Sequence, residues 1–256
     1  MRTYFRRPRS GRDAACCVYS MQHGTVTQKS SYIPRRRDAA CCVSTMTRPR
    51  PRMIARNLMQ PTSPDGSVWH EGELAVQRRA GVQTSGRGIR SSIPEGLIGF
   101  LTESRLVIFA SVDSERRAWA SLRVSEPGFL CVIDPLTLET EPADLDGDLL
   151  LTNLKQNPDV GMLIIDLATR RRIRINGEAE ILSDNGLRIH ARQVYGNCPQ
   201  YIQLRVSERA PLNDKPPSLI SRATQLSPSQ HEWIAQADTL FIASAHPEHG
   251  VDASHR

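Results

Sequence analysis

Leu106-Val-Ile-Phe-Ala-Ser-Val112 is apolar and β-branched, Asp113-Ser-Glu-Arg-Arg117 is a polar turn, and Ala118-Trp-Ala-Ser-Leu-Arg-Val124 alternates as an antiparallel partner would. The hairpin this predicts occurs twice. Leu106 to Arg123 aligns without gaps on Thr239 to Arg256, 133 residues later. The identities are Ala110/Ala243, Ser111/Ser244, Glu115/Glu248, Ala120/Ala253, Ser121/Ser254 and Arg123/Arg256. Upstream, Phe100-Leu101 falls on Trp233-Ile234, so a helix followed by a hairpin is repeated as a unit. A period of this size is a domain-scale duplication rather than a short solenoid repeat. The second copy reaches Arg256 midway through its second strand, and the expectation is a double-length protein cut short.

Outward from the first hairpin, Phe129-Leu-Cys-Val-Ile133 follows the Pro127-Gly128 punctuation as another strand. Leu149-Leu-Leu-Thr152 reads as a short strand running into Asn153 to Asn157, a turn of helix ended by Pro158. Val160 to Asp166 and Arg172 to Leu182 form a further strand pair, and Tyr201 to Val206 is extended. Helices are predicted from about His70 to Ala80, from Pro94 to Glu103 and from Asn185 to Tyr195. Ser227-Pro228 opens another, with Ser as N-cap, Pro at the first helical position and Gln230 completing a capping box. Short strands joined by polar loops, with few helices, indicate an antiparallel barrel or sandwich.

The whole chain has 256 residues, 39% hydrophobic and 23% charged, a composition expected of a soluble protein. Its longest apolar runs fall far short of the roughly 20 residues that span a bilayer. Six cysteines do not make a dense disulfide scaffold, and no signal-peptide core follows the basic start, which points to the cytoplasm. The net charge of +6 is unevenly spread: residues 1–60 carry +11, and the remainder carries −5. An acidic body argues against a nucleic-acid binder, since duplex binding is dominated by Lys and Arg contacts to phosphates. Within the basic segment Arg12-Asp-Ala-Ala-Cys-Cys-Val18 recurs letter for letter as Arg37 to Val43 among Arg-Pro alternations. Such a stretch buries too little surface to offset its ordering entropy, so residues 1–66 are expected to be a disordered basic tail. A zinc site on Cys16, Cys17, Cys41 and Cys42, an organellar transit peptide and a basic arm on nucleic acid or anionic lipid are the competing readings.

The body resembles the pyridoxamine 5′-phosphate oxidase-like family of FMN-binding split barrels, in its double-length form. The residues that carry the resemblance are Trp69 to Gly81, Asn157 to Asp166, Arg172 to Ala179, Tyr195 to Gln203, Ala243 to Glu248 and Asp252 to Arg256. The resemblance implies a mainly β protein, an antiparallel split β-barrel with a few peripheral helices followed by the start of a second copy. Its expected domains are a barrel over residues 67–206, a linker over 207–226 and the second copy over 227–256. It further implies six or seven barrel strands, a homodimer or internal pseudo-dimer, and FMN near the seam between two barrel copies.

Side chains at i and i+2 share one face of a strand, so Ser121 and Arg123 point the same way and can present a hydroxyl and a guanidinium to a flavin phosphate. Ser254 and Arg256 repeat the pair. Analogy with the family adds Thr152, Asn153 and Lys155 at a strand-to-helix junction. Two departures bear on this site: Val124 and Glu126 stand where relatives tend to carry Gly and then Asp or Gly, and the second copy stops before its own Gly-rich turn.

The expected function is that of an FMN-binding oxidoreductase acting on a small molecule, with substrate and catalytic residues unassigned. The alternatives are a truncated, cofactor-free barrel that serves as a dimerisation module, and a barrel holding haem or a deazaflavin. His246, His249, His255, Glu248 and Asp252 are weak metal candidates, and Cys131 and Cys198 read as buried thiols. Walker, G-x-G-x-x-G and G-x-S-x-G motifs are absent from the sequence, which sets aside the common nucleotide-triphosphate, Rossmann and hydrolase readings.

Overall fold

A computed structural model describes residues 18–20, 69, 71–83, 86, 88–142, 148–206 and 225–256. The Cys16, Cys17, Cys41 and Cys42 repeat lies outside the described residues, as do most of the expected tail and linker. The elements in chain order are β1 (Val18–Ser20), α1 (Glu71–Arg79), α2 (Ile98–Glu103, entered through a 3-10 turn at Glu95–Leu97), β2 (Leu106–Val112), β3 (Ala118–Val124), β4 (Leu130–Asp134) and β5 (Thr137–Thr140). Then come α3 (Leu150–Leu154), β6 (Asp159–Asp166), β7 (Arg171–Ile181), β8 (Leu187–Gly196), α4 (Pro228–Gln236), β9 (Leu240–His246) and β10 (Gly250–His255). Among the described residues the architecture is mainly β, with every strand pair antiparallel.

Seven strands form one sheet in the order β3-β2-β6-β7-β8-β5-β4, and β1-β9-β10 form a second. The large sheet curls so that alternate residues of successive strands meet inside it. Val107 and Phe109 of β2, Val160, Met162 and Ile164 of β6, Ile173 and Ile175 of β7, and Leu187 and Ile189 of β8 share one core. Leu101 of α2 and Leu150 and Leu154 of α3 close it. A second core lies between the outer face of β2, β3 and β6 and the β9–β10 hairpin. That double coverage explains the unbroken apolar run of β2, whose seven residues are all buried.

The pairing of the second hairpin repeats that of the first. Ala110 faces Ala120 and Ala243 faces Ala253; Phe109 faces Ser121 and Ile242 faces Ser254, each at the offset of 133. The packing repeats too. Ile108, Ala110, Ala118 and Ala120 of the first hairpin enter the second core with Phe241, Ala243, Val251 and Ala253, their counterparts at that offset. The two hairpins therefore meet through equivalent outer faces, the arrangement of a two-fold interface built inside one chain.

Two sequence expectations are corrected. Residues 185–195 are not a helix but lie mostly in strand β8, and the reason is a bulge. Asn176 pairs with Gln193 while Gly177 pairs with Ala191, so Arg192 is an extra residue. The inward set Leu187, Ile189 and Ala191 therefore continues at Val194, and Leu187, Ala191 and Val194 fall at the i, i+4, i+7 spacing of a helix. Conversely, Leu149 to Thr152 is not a strand. Asp148 accepts a hydrogen bond from the Leu150 amide (2.8 Å), and α3 follows with Leu150, Asn153 and Leu154 buried on one face. Val18–Ser20, within the expected disordered tail, pairs as a strand along the outer edge of β9, whose amides and carbonyls that edge leaves open to a further strand. One strand, β5, was not foreseen; it is four residues long, and Leu138 is its buried anchor.

Candidate functional site

The residues expected to hold a phosphate separate into two places. Ser121 and Arg123 do share a face of β3, and that face turns inward, away from the second hairpin. The Ser121 hydroxyl donates to Asp148 Oδ1 (2.6 Å), which ties β3 to the start of α3. Arg123 spans the split between the unpaired edge strands β3 and β4: its Nη1 donates to the Glu141 carbonyl (3.3 Å) and its guanidinium lies 5.4 Å from the centre of the Phe129 ring. Burial, partly offset by Glu141, lowers its pKa. Asn153 is buried and donates to Ser111 Oγ (3.0 Å), whereas Thr152 and Lys155 point outward from α3. Glu126 is paired with Arg105 at the surface (2.7 Å).

Ser254 and Arg256 stand elsewhere, where β10 crosses the outer face of β6 and β7. Gly161 of β6 makes the crossing close: a Cβ there would lie 2.7 Å from both Asp252 Cα and the Val251 carbonyl. Asp252 and Ser254 alternate with Val251 and Ala253, so they turn from the apolar core toward β7 and β8. Ser254 Oγ accepts from Arg174 Nη2 (2.7 Å) and from Arg256 Nη1 (2.8 Å). Asp252 accepts from Arg174 Nη1 (2.8 Å), from the Tyr195 hydroxyl (2.8 Å) and from Asn176 (3.3 Å). Burial, reinforced by the Asp252 charge, pushes the Tyr195 phenol up to about 12, so it stays protonated as a donor. Arg172 completes the row, donating to the Cys198 carbonyl (3.0 Å) and to His255 Nδ1 (2.7 Å).

A guanidinium can only donate, so His255 Nδ1 is the acceptor in that contact and the ring is neutral with its proton on Nε2. Burial and the charges of Arg172, Arg256, Arg174 and Arg205 together pull the His255 pKa down to about 4. The seam is thus a cationic strip on the outer face of β7, roofed by β10. Of the sequence candidates it unites Ser254 and Arg256.

The sheet order, the unpaired β3 and β4 edges and the inward core are those of a split barrel. Residues 93–214 match the sequence model of the pyridoxamine 5′-phosphate oxidase family. This segment is a pyridoxamine 5′-phosphate oxidase-like split barrel. No curated protein matches the chain. Among solved structures, a candidate pyridoxamine 5′-phosphate oxidase from Lactobacillus delbrueckii is similar at 17% identity over 41% of this chain and 95% of its own, with a TM-score of 0.34. A conserved hypothetical protein from Mycobacterium tuberculosis has 20% identity over 42% and 86%, TM-score 0.32. An FAD-binding protein from Mesorhizobium loti has 14% identity over 42% and 94%, TM-score 0.31.

The two places in this oxidase-like barrel differ in their fitness for an anionic cofactor. At Ser121 the Asp148 carboxylate already takes the hydroxyl proton and would repel a phosphate, and Arg123 is engaged across the split. At the second seam, Arg172 Nε, Arg174 Nε and His255 Nε2 are buried with no hydrogen-bond partner among the described residues. Unsatisfied buried donors suit an anion, so the arginine side of the seam fits one, while the Asp252 carboxylate and Asn176 Oδ1, a buried acceptor with no partner among the described residues, make the other side of the row unsuited to it. Sequence reading did not assign Arg172 and Arg174 to a site, and it raised His255 as a weak metal candidate rather than as part of this seam. The alternation Arg172-Ile-Arg-Ile175 was a visible signal of two guanidiniums on one strand face, but nothing local showed that a hairpin would cover them. The expectation of buried thiols is also corrected: Cys198 is exposed in the loop after β8, and Cys131, outward on β4 next to inward Leu130, is half-buried. His246 and His249 stack at the β9–β10 turn with ring centroids 4.3 Å apart, at the opposite end of β10 from His255.

Proposed function

We propose that this chain is a flavin-binding protein of the oxidoreductase-like group, holding FMN at the seam between the outer face of the barrel and the β9–β10 hairpin and acting on a small redox substrate in the cytoplasm. The observation that carries the reading is the in-register return of the hairpin onto that face, which sets Ser254 and Arg256 beside Arg172 and Arg174. A flavin bound there would supply hydride or electron transfer, and the protein would supply position and electrostatics. Arg172, Arg174 and Arg256 would counter the anionic end. The phenol of Tyr195, held protonated against Asp252, would keep one neutral donor within the cationic strip.

In this reading residues 67–206 are the barrel domain, 207–226 a linker and 227–256 the start of a second copy. The match of the family model and the repeated pairing at an offset of 133 support it. The second hairpin covers the face through which two single barrels would pair, which favours an internal pseudo-dimer over a homodimer on that face.

The engagement of Ser121 with Asp148 favours the competing reading, a cofactor-free barrel. The visible spectrum of the purified chain separates the two. Bound flavin absorbs at about 450 nm, and added FMN should lose fluorescence on binding. A colourless preparation that leaves FMN fluorescence unchanged would favour the cofactor-free barrel.

A further inference from the structure

In the first copy β2 has a strand on each edge, β3 on one side and β6 on the other. Its counterpart β9 has β10 on one side and β1 on the other. Shifting the β2–β6 register by the offset of 133 lays β1 onto β6. Val107 pairs with Ile164, and Leu240 with Ser20; Ile108 pairs with Leu163, and Phe241 with Tyr19; Phe109 pairs with Met162, and Ile242 with Val18. Val18-Tyr19-Ser20 therefore stand, in the same direction, at the positions of Met162-Leu163-Ile164. The match extends beyond the one ladder. β6 packs against β10, and the equivalent contact under the two-fold relation of the hairpins, β1 against β3, is also present.

The backbone of β9 fixes which residue of β1 matters most. Leu240 donates its amide to the Arg256 carbonyl (2.6 Å) and accepts from the Arg256 amide (2.9 Å), so its polar groups face β10. Successive residues of a strand turn these groups to opposite sides, so Phe241 turns its N–H and C=O to the other edge. Tyr19 and Phe241 are thus the hydrogen-bonded pair of the β1–β9 ladder, while the N–H groups of Val18 and Ser20 face away from β9. Phe241 is fully buried, and buried backbone donors and acceptors need partners. A β-branched residue followed by an aromatic one, as in Val18-Tyr19, is the composition that favours a strand.

We propose that the free edge of β9 is a strand-docking site of the second unit and that residues 18–20 of the same chain occupy it, standing in for the counterpart of β6. This is strand addition within one molecule, with main-chain bonds supplying the attachment. Tethering makes the docking intramolecular, so a short strand suffices. It also covers an edge that would otherwise template pairing between chains. The basic N-terminal segment thereby gains a role that does not depend on a flavin. Two rivals for the edge exist. Val43-Ser44-Thr45 follows the second copy of the heptapeptide as Val18-Tyr19-Ser20 follows the first, and a second molecule could add its own strand.

Amide hydrogen exchange of the full 256-residue chain, resolved by residue, is the test. Tyr19→Pro removes the donor to the Phe241 carbonyl and should speed exchange of the Phe241 amide about tenfold. The amides of Leu240 and Ile242 face β10 and should keep their native rates, which separates undocking from unfolding. Ser20→Pro, whose lost N–H faces away from β9, should leave all three amides unchanged, and Ser44→Pro should do the same. A second readout serves if Tyr19→Pro raises all three rates together. With Ser20→Cys and Leu240→Cys combined, mild oxidation should link positions 20 and 240 within one chain, mapped by peptide mass spectrometry. Opposite residues of a non-hydrogen-bonded pair lie about 4.5 Å apart at Cα, within disulfide reach. Equal Phe241 exchange in the native chain and in Tyr19→Pro overturns the assignment, as does a link that forms only between chains. Sensitivity to Ser44→Pro in place of Tyr19→Pro, or Phe241 protection that rises with protein concentration, gives the edge to a rival and overturns it equally.

Discussion

Gly161 is the residue on which the seam turns, because β10 crosses β6 where a side chain is missing. Adding a Cβ would drive it to 2.7 Å from backbone atoms of Val251 and Asp252, which cannot swing aside as a side-chain tip can. Gly161→Ala should therefore cost about 1–3 kcal/mol or more and expose residues 225–256 to protease, with limited proteolysis as the readout. Gly177 carries a like constraint for a different reason: a Cβ would fall 2.0 Å from the His190 carbonyl, at the bulge.

His255 gives the site a pH signature. The folded ring titrates at about 4 and the unfolded ring near 6.5, so the unfolded chain takes up its proton first as the solution is acidified. Its contribution is intact above pH 6.5 and declines as pH falls from 6.5 toward 4, by at most about 1.4 kcal/mol per unit. Urea unfolding across that window in phosphate-free buffer should show the slope, and His255→Gln should flatten it.

At the level of elements, the β2–β3 turn is organised by one carboxylate. Asp113 accepts from the amides of Glu115 and Arg117, from Arg117 Nε (2.6 Å) and from the Trp119 indole (2.8 Å). Burial acts to raise its pKa, but these donors outweigh burial and hold it below the ordinary value of 3.8. The stabilisation is present above pH 3.8 and is lost as pH falls through the depressed folded value. Asp113→Ala should destabilise by about 1–3 kcal/mol near neutrality, measured by denaturant titration. In the second hairpin His246 occupies the equivalent position and its Nδ1 accepts the Glu248 amide (3.1 Å) in place of a carboxylate, and Gly250 takes the left-handed conformation at φ 84°. On α4, the Ser227 hydroxyl accepts from the Gln230 amide while Gln230 answers on the Ser227 amide. Ser227→Ala should cost about 1 kcal/mol, read as a lower unfolding midpoint.

Across the whole molecule, the two cores are coupled through β2, whose opposite faces serve both. Phe241, fully buried, is the largest side chain that the second hairpin places in the outer core. Phe241→Ala should cost about 3–5 kcal/mol if the hairpin and barrel unfold together. A separate early transition, with new dye-binding apolar surface, would show instead that the hairpin undocks alone.

The duplicated hairpin, the capping box at Ser227 and the run of antiparallel strands were legible because each is written in local residue order: alternation, turn chemistry and a repeat at a fixed offset. Strand β8 was not, since the extra bulge residue Arg192 shifts its inward set into helical spacing, and a bulge is a property of two strands rather than one. α3 was misread because five residues are too few to show a period, and its register is fixed by Asp148 and the barrel beneath it.

By itself the sequence determined the architecture and the Ser-x-Arg repeat, because strand faces and hairpin turns follow from neighbours along the chain. Only the tertiary structure decided which of those pairs meets other cations. Ser121 and Arg123 turn into the first barrel and bind it together, while Ser254 and Arg256 land on Arg172 and Arg174. The physical reason is that a strand's two faces are equivalent in sequence until something packs on one of them. Burial against the outer core, which sets Asp252 of β10 on Arg174 of β7 from 78 residues away along the chain, makes the choice.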